Sequence, residues 1–338
     1  VIAPYAIELT RESIEVFTKR YGFALREPVI IEMYPDHEDF AVRTAGMPGL
    51  GILGATFGYL LAMDSPSGRP PDQFQWGSVL WHELAHVFTL KATDHLVPRW
   101  YSEGISVFEE WRSGPNPGVR IPLSVYNAMR EDRFLPVAEL DNGFMRPSYP
   151  GQVIVSYMQA GLVCDFIDRQ HGEHKLREFL EAFGDGLDTE EALRAVFGMD
   201  PGQFDEEFTA FVAAEFGDFL DQLDRWAHVQ AEISSKLDTG DWLEVLDLAA
   251  ELIEMLPQYT EPDSPYLAAA RAYDELGERA AALGSLGTFW RLGGYDPTAL
   301  KRLADWLIED GQPGTAIEVL QSVNLVDPLD ADLHGRLG

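Results

Sequence analysis

His82-Glu83-Leu84-Ala85-His86 sets two histidines four residues apart with a glutamate beside the first. On a helix this spacing places both imidazoles on one face, about 6 Å apart along the axis, where one tetrahedral divalent cation can take a nitrogen from each. Glu83 then lies one residue round from His82, able to reach water on the cation without being a ligand. Zinc suits such a site best, although two imidazoles and a carboxylate also suit iron or manganese. Hydrolytic chemistry needs a third protein ligand and one open position. A histidine six residues beyond the pair, with glycine between, is absent: Thr89 and Ala92 stand there, and His95 is out of register. Asp94 lacks a flanking glycine-threonine context. Glu103, in Trp100-Tyr101-Ser102-Glu103-Gly104, opens the next helical stretch, which can cross back over the first, and is the expected third ligand.

The elements that must position these groups read as α+β, with strands early and helices late. A helix is expected from Glu8 to Tyr21, and the apolar run Pro28 to Tyr34 reads as a buried strand. Glycines alternating with apolar residues over Gly46 to Met63 suggest two short strands joined by tight turns. Pro66 to Pro71 breaks the pattern. The helix carrying the histidines is expected from Asp72, as N-cap, to Lys91, with a second opening near Ser102. Helical spacing returns from Ser148 to Phe183 and from Pro201 to Phe219.

Beyond Arg225 the chain is helical throughout, with a turn signal at Gly240, Gly277 and Gly311, separated by 37 and 34 residues. That period marks repeats. Tyr266, Ala270, Tyr273, Gly277 and Ala282, then Ala304, Gly311, Ala316 and Pro328, resemble tetratricopeptide repeats, in which small residues let helices approach and each unit covers its neighbour. The expected division is 1–225 for the α+β domain and 226–338 for an all-α helical-repeat domain.

The 338 residues carry 56 acidic and 25 basic side chains, a formal net charge of −31. Such a field repels phosphate backbones and anionic lipid, and no basic patch offsets it, so nucleic-acid binding is excluded. The longest mostly apolar run, Gly49 to Met63, is about 15 residues, short of the roughly 20 a spanning helix needs. Cys164 is the one cysteine, among apolar neighbours that make it a core thiol.

The run from His82 through Glu110 resembles the gluzincin metallopeptidases, and Arg99-Trp100-Tyr101-Ser102-Glu103-Gly104-Ile105 is most similar to the bacterial peptidase MA-like domain. The likeness extends over Leu135 to Phe183, including Leu135-Pro136-Val137-Ala138-Glu139-Leu140 and His171-Gly172-Glu173-His174-Lys175-Leu176. It implies a zincin-like fold holding one Zn2+ per chain on His82, His86 and Glu103, with Glu83 taking the proton from the zinc-bound water. The oxyanion donor of the aminopeptidase branch corresponds to Tyr157, with Tyr149 as the second choice. The substrate-pairing edge strand of the family maps onto Gly51 to Thr56, making Gly54 and Ala55 substrate candidates. Glu110, two turns beyond Glu103, is the candidate for orienting the imidazoles.

The interval from His86 to Glu103 is two residues shorter than in the aminopeptidase branch, which turns the expectation from exopeptidase to endopeptidase. The expected function is zinc-dependent hydrolysis of a protein or peptide substrate, with a protein partner at the repeats. The alternative is a catalytically silent zincin-like scaffold whose repeats recruit a partner, and the intact Glu83 favours the enzyme. The first residue, Val rather than Met, suggests a processed or trimmed terminus, and the reading inclines to a bacterial, extracytoplasmic setting.

Overall fold

The computed structural model describes residues 2–49, 51–69 and 74–337. Helix α1 (Ala3–Tyr21) ends where Gly22 takes a left-handed φ of +64°. It is followed by β1 (Ile30–Tyr34), α2 (His37–Ala45) and the hairpin β2 (Gly54–Phe57) and β3 (Leu60–Asp64). The sheet has the order β1-β3-β2, with β1 parallel to β3 and β2 antiparallel to it. The hairpin turns at Gly58, whose φ of +69° suits a residue without Cβ. The strand expected to be buried, β1, is the sheet's edge, and its Ile30 is 57% exposed. The buried strand is the central one, β3, where Leu61, Met63 and even Asp64 are fully covered. An apolar run cannot by itself say which strand takes the middle.

Helix α3 (Trp76–Ala92) carries both histidines and is apolar on most of its circumference, as a helix covered by layers on several sides must be. Phe17 of α1 packs edge-on against Trp81 and Phe88 of α3, with centroids 5.3 and 5.5 Å apart. Asp72, the expected N-cap, lies outside the described residues. Gln75 caps the helix, its Oε1 accepting from the Ser78 N–H at 2.6 Å.

Between α3 and α4 (Arg99–Ser113) the chain reverses through Asp94 and His95, with φ of 51° and 67°. Two successive left-handed residues turn it sharply, and Asp and His are among the side chains that tolerate this region best. Next come α5 (Leu123–Arg130), α6 (Asp141–Met145) and α7 (Gln152–Phe166). A Cβ on Gly104 would lie 2.7 Å from the Ala160 carbonyl oxygen, and one on Gly161 would lie 2.6 Å from Val107 Cγ1. The two glycines therefore allow α4 and α7 to approach at close range, which brings α7 side chains to the helix of Glu103.

After α8 (Glu173–Gly184) and α9 (Thr189–Phe197), α10 runs unbroken over Pro201–Thr239. It was expected to stop at Phe219. Its buried stripe continues through Phe219, Leu223, Trp226, Val229 and Ile233, so the expected division at Arg225 falls inside one helix and one core. Hairpins follow: α11 (Trp242–Met255), α12 (Pro265–Glu275), α13 (Arg279–Arg291), α14 (Pro297–Glu309), α15 (Pro313–Asn324) and α16 (Ala331–Leu337). Gly240, Gly277 and Gly311 all turn with φ between 74° and 78°. A second apolar cluster, from Tyr266 to Leu333, forms inside these hairpins.

The helical array folds back onto the first unit along its inter-hairpin loops. Asn116 donates to the Gly293 carbonyl at 2.8 Å. The Trp76 indole donates to Asn324 O at 3.0 Å and its backbone N–H to Leu325 O at 3.1 Å, so the array supplies an acceptor to the first turn of α3. Among the described residues no helix is long and apolar enough to cross a membrane.

Candidate metal centre

The crossing of α3 and α4 brings His82, His86 and Glu103 together. The two Nε2 atoms are 3.1 Å apart, and Glu103 Oε2 lies 3.3 Å from that of His82 and 3.1 Å from that of His86. In a tetrahedron with bonds of about 2.05 Å, as for zinc on nitrogen and oxygen, ligand atoms are about 3.3 Å from one another. The three atoms form such a face.

Each imidazole is oriented from behind. His82 Nδ1 donates to Glu110 Oε1 at 2.6 Å. His86 Nδ1 donates to Ser102 Oγ at 2.8 Å, which passes its own proton to Thr89 Oγ1 at 2.7 Å, and Thr89 donates to the His86 carbonyl. With both Nδ1 atoms engaged as donors, both Nε2 atoms are left to a cation. Burial opposes a charge on His82, yet its bonds to Glu103 and Glu110 lift its pKa well above the ordinary value. Burial likewise works against ionised Glu103, but the imidazoles of His86 and His82 hold it well below the usual carboxylate range. Both shifts say that positive charge is favoured where the three atoms meet.

Glu83 does not join this triangle. Its buried carboxylate accepts from Thr56 Oγ1 of β2 at 2.6 Å. A Cβ on Gly54 would come within 2.6 Å of Glu83 Cγ and 2.7 Å of its Cδ, so the glutamate fills the space that Gly54 leaves. Burial raises the Glu83 pKa, offset in part by the imidazoles and the Thr56 hydroxyl, as suits a proton acceptor rather than an inert anion.

The second Glu103 oxygen, Oε1, meets the Tyr157 hydroxyl of α7 and Nε of Arg99, each at 3.3 Å. Burial, and then the charge of Glu103, push the Tyr157 phenol upward, which keeps it a donor at neutral pH. Its ring is fixed edge-on against Phe144, 5.1 Å between centroids.

Tyr149, the second choice for the donor, is not in this group: it packs beneath the Arg133 guanidinium, and its hydroxyl has no hydrogen-bond partner among the described residues. Of the two strand candidates, only Gly54 faces Glu83. The Asp64 N–H donates to Leu53 O, so alternation pairs Ala55 inward with Ala62 and turns the N–H and C=O groups of Gly54 and Thr56 to the outer edge. The structure also recruits Thr56, Ser102 and Arg99, which sequence reasoning did not single out. Ser102 and Arg99 lie in the motif that names Glu103; nothing in the sequence near Thr56 points to Glu83.

No curated protein and no solved structure matches the chain. The family model of the peptidase MA superfamily does match, over residues 12–214, from α1 into α10. That span is more than half of the chain and holds every residue described around the triangle; the protein belongs to the peptidase MA superfamily.

Proposed function

We propose that the protein is a zinc-dependent endopeptidase. The carrying observation is the triangle of His82 Nε2, His86 Nε2 and Glu103 Oε2, with edges of 3.1 to 3.3 Å and a buried carboxylate and a phenol beside it. These three residues would hold one zinc per chain. When bound, zinc supplies Lewis acidity, lowering the pKa of water and polarising the scissile carbonyl. Glu83, oriented by Thr56, takes the proton of the attacking water and delivers it to the leaving amine. The Tyr157 hydroxyl donates to the oxygen on which negative charge develops. The outer edge of β2 offers the N–H and C=O groups of Gly54 and Thr56 to an extended substrate, which would add as a further strand. The helical array offers a second surface, a cavity of about 250 Å³ lined by Leu267, Arg271, Arg302 and Trp306, for a protein substrate or partner.

The test is cleavage of an unfolded casein-like protein by the metal-loaded chain, the chelated chain and Glu83→Gln. Only the first is expected to cut. Equal activity in all three abandons the assignment. Metal analysis should return one zinc per chain in the wild type and a loss in His86→Ala.

A further inference from the structure

Arg99 occupies an unusual place beside the triangle. It stands one turn before Glu103 on α4, and its Nε makes a single contact of 3.3 Å with the Glu103 oxygen turned away from the histidines. The guanidinium also pairs with the Tyr157 hydroxyl, and it lies over the Phe144 ring at 5.5 Å, the same ring that fixes Tyr157. An arginine whose task is to hold a carboxylate uses its planar fork, two parallel N–H···O bonds at 2.7 to 2.9 Å. Arg99 instead makes one long contact. Its side chain is 47% exposed, and among the described residues no second carboxylate lies within ion-pair distance. Stacking on Phe144 restricts the plane of the guanidinium while leaving its remaining donors open to solvent.

The charge context sharpens this. Glu83, Glu103 and Glu110 surround the two histidines, and the chain as a whole carries a net charge of −31. These carboxylates repel an approaching substrate carboxylate, and Arg99 is a half-exposed cation beside them. It is also bonded to the Tyr157 phenol, the donor assigned to the developing oxyanion.

We propose that Arg99 selects substrates bearing a carboxylate within a residue or two of the scissile bond, pairing with it through the donors that Glu103 leaves unused. This rests on the peptidase reading of the same site. The carboxylate comes from an Asp or Glu side chain or from a nearby free C-terminus, two sources with one chemistry.

The test uses one peptide in four forms: Asp or Asn beside the cleaved bond, each with a free or amidated C-terminus. Binding is read by fluorescence anisotropy on the full-length Glu83→Gln protein, and kcat/KM on the wild type. An ion pair of this kind is expected to favour the Asp peptide by about tenfold or more. The preference should fall to near one in Arg99→Gln, with zinc content unchanged, and reverse in favour of the Asn peptide in Arg99→Glu. A preference confined to the free C-terminus assigns the carboxylate to the chain end. A ratio near one in the wild type, or a preference that survives Arg99→Gln, overturns the proposal. Should no peptide be cut, the peptidase reading fails, and the anisotropy ratio still decides the role of Arg99.

Discussion

Gly54→Ala tests the proposed proton acceptor, Glu83, apart from the proposed metal ligands. A Cβ at this position would stand 2.6 Å from Glu83 Cγ. Ordinary carbon–carbon contact begins near 3.5 Å, so the glutamate must withdraw by roughly 0.9 Å. The clash reaches Cγ, close to the helix, and withdrawal takes the buried carboxylate off its Thr56 donor, so the move costs about 1 to 3 kcal/mol. Withdrawal also takes the carboxylate away from the water that, on the proposed reading, it deprotonates. A displacement of about 1 Å at a reacting group costs on the order of a hundredfold in rate, about 2.7 kcal/mol. The expected outcome is kcat/KM for a quenched peptide down by about that factor and a fall of several degrees in Tm, with zinc content at the wild-type value, because His82, His86 and Glu103 are untouched. Activity within threefold of wild type would refute the placement of Glu83 as the base. Loss of zinc in this variant would refute the independence of strand and metal site.

Glu110→Gln and Ser102→Ala each remove the partner of one Nδ1, and each should weaken zinc binding by about ten- to a hundredfold in competition with a chromophoric chelator; unchanged affinity would show that the imidazoles need no such support. Tyr157→Phe should lower kcat by roughly a hundred- to a thousandfold with KM little altered, measured by steady-state kinetics, and a change in KM alone would assign Tyr157 to substrate binding instead. Trp76→Phe deletes the indole N–H that bonds Asn324 O and should cost about 1 to 3 kcal/mol, read as a fall of several degrees in Tm by scanning fluorimetry. An unaltered Tm would mean that the array does not brace α3.

What the sequence makes legible here is mostly local. His82 and His86 meet because four residues make one turn, and that follows from the helix alone. Glu103 could be singled out because its motif opens the next helix, although its approach depends on a reversal at Asp94 and His95 that no periodicity announces. The contact of Glu83 with Gly54 and Thr56 is different in kind. It joins a strand to a helix 27 positions further along the chain, and alternation says only that Gly54 and Thr56 share a face, not which helix that face meets. The inversion of β1 and β3 has the same origin, since both are short apolar runs and the order of strands is decided by what packs on each side. The length of α10 is obscured by Gly217, a helix-weakening residue just before Phe219, although Phe219, Leu223 and Trp226 continue one buried stripe and the helix ends only at the left-handed Gly240.

The return of the array to α3 bears on what the second half of the chain is for. If its only task were to recruit a partner, its inter-hairpin loops could hang free and its cavity would suffice. Instead Trp76, wholly buried at the first turn of the helix that carries His82 and His86, takes both of its hydrogen-bond acceptors from Asn324 and Leu325. Trp76 and His82 lie six residues apart on one continuous helix, about 9 Å along its axis, too short a stretch to bend without breaking its own ladder. An array that shifted would therefore carry α3 with it or leave a buried indole N–H unpaired, at a cost of about 1 to 3 kcal/mol. The cavity of the array, lined by Arg271, Arg302 and Trp306, includes neither Asn324 nor Leu325. Asn324 and Leu325 thus secure the helix of His82 and His86 through residues that the proposed docking cavity does not use.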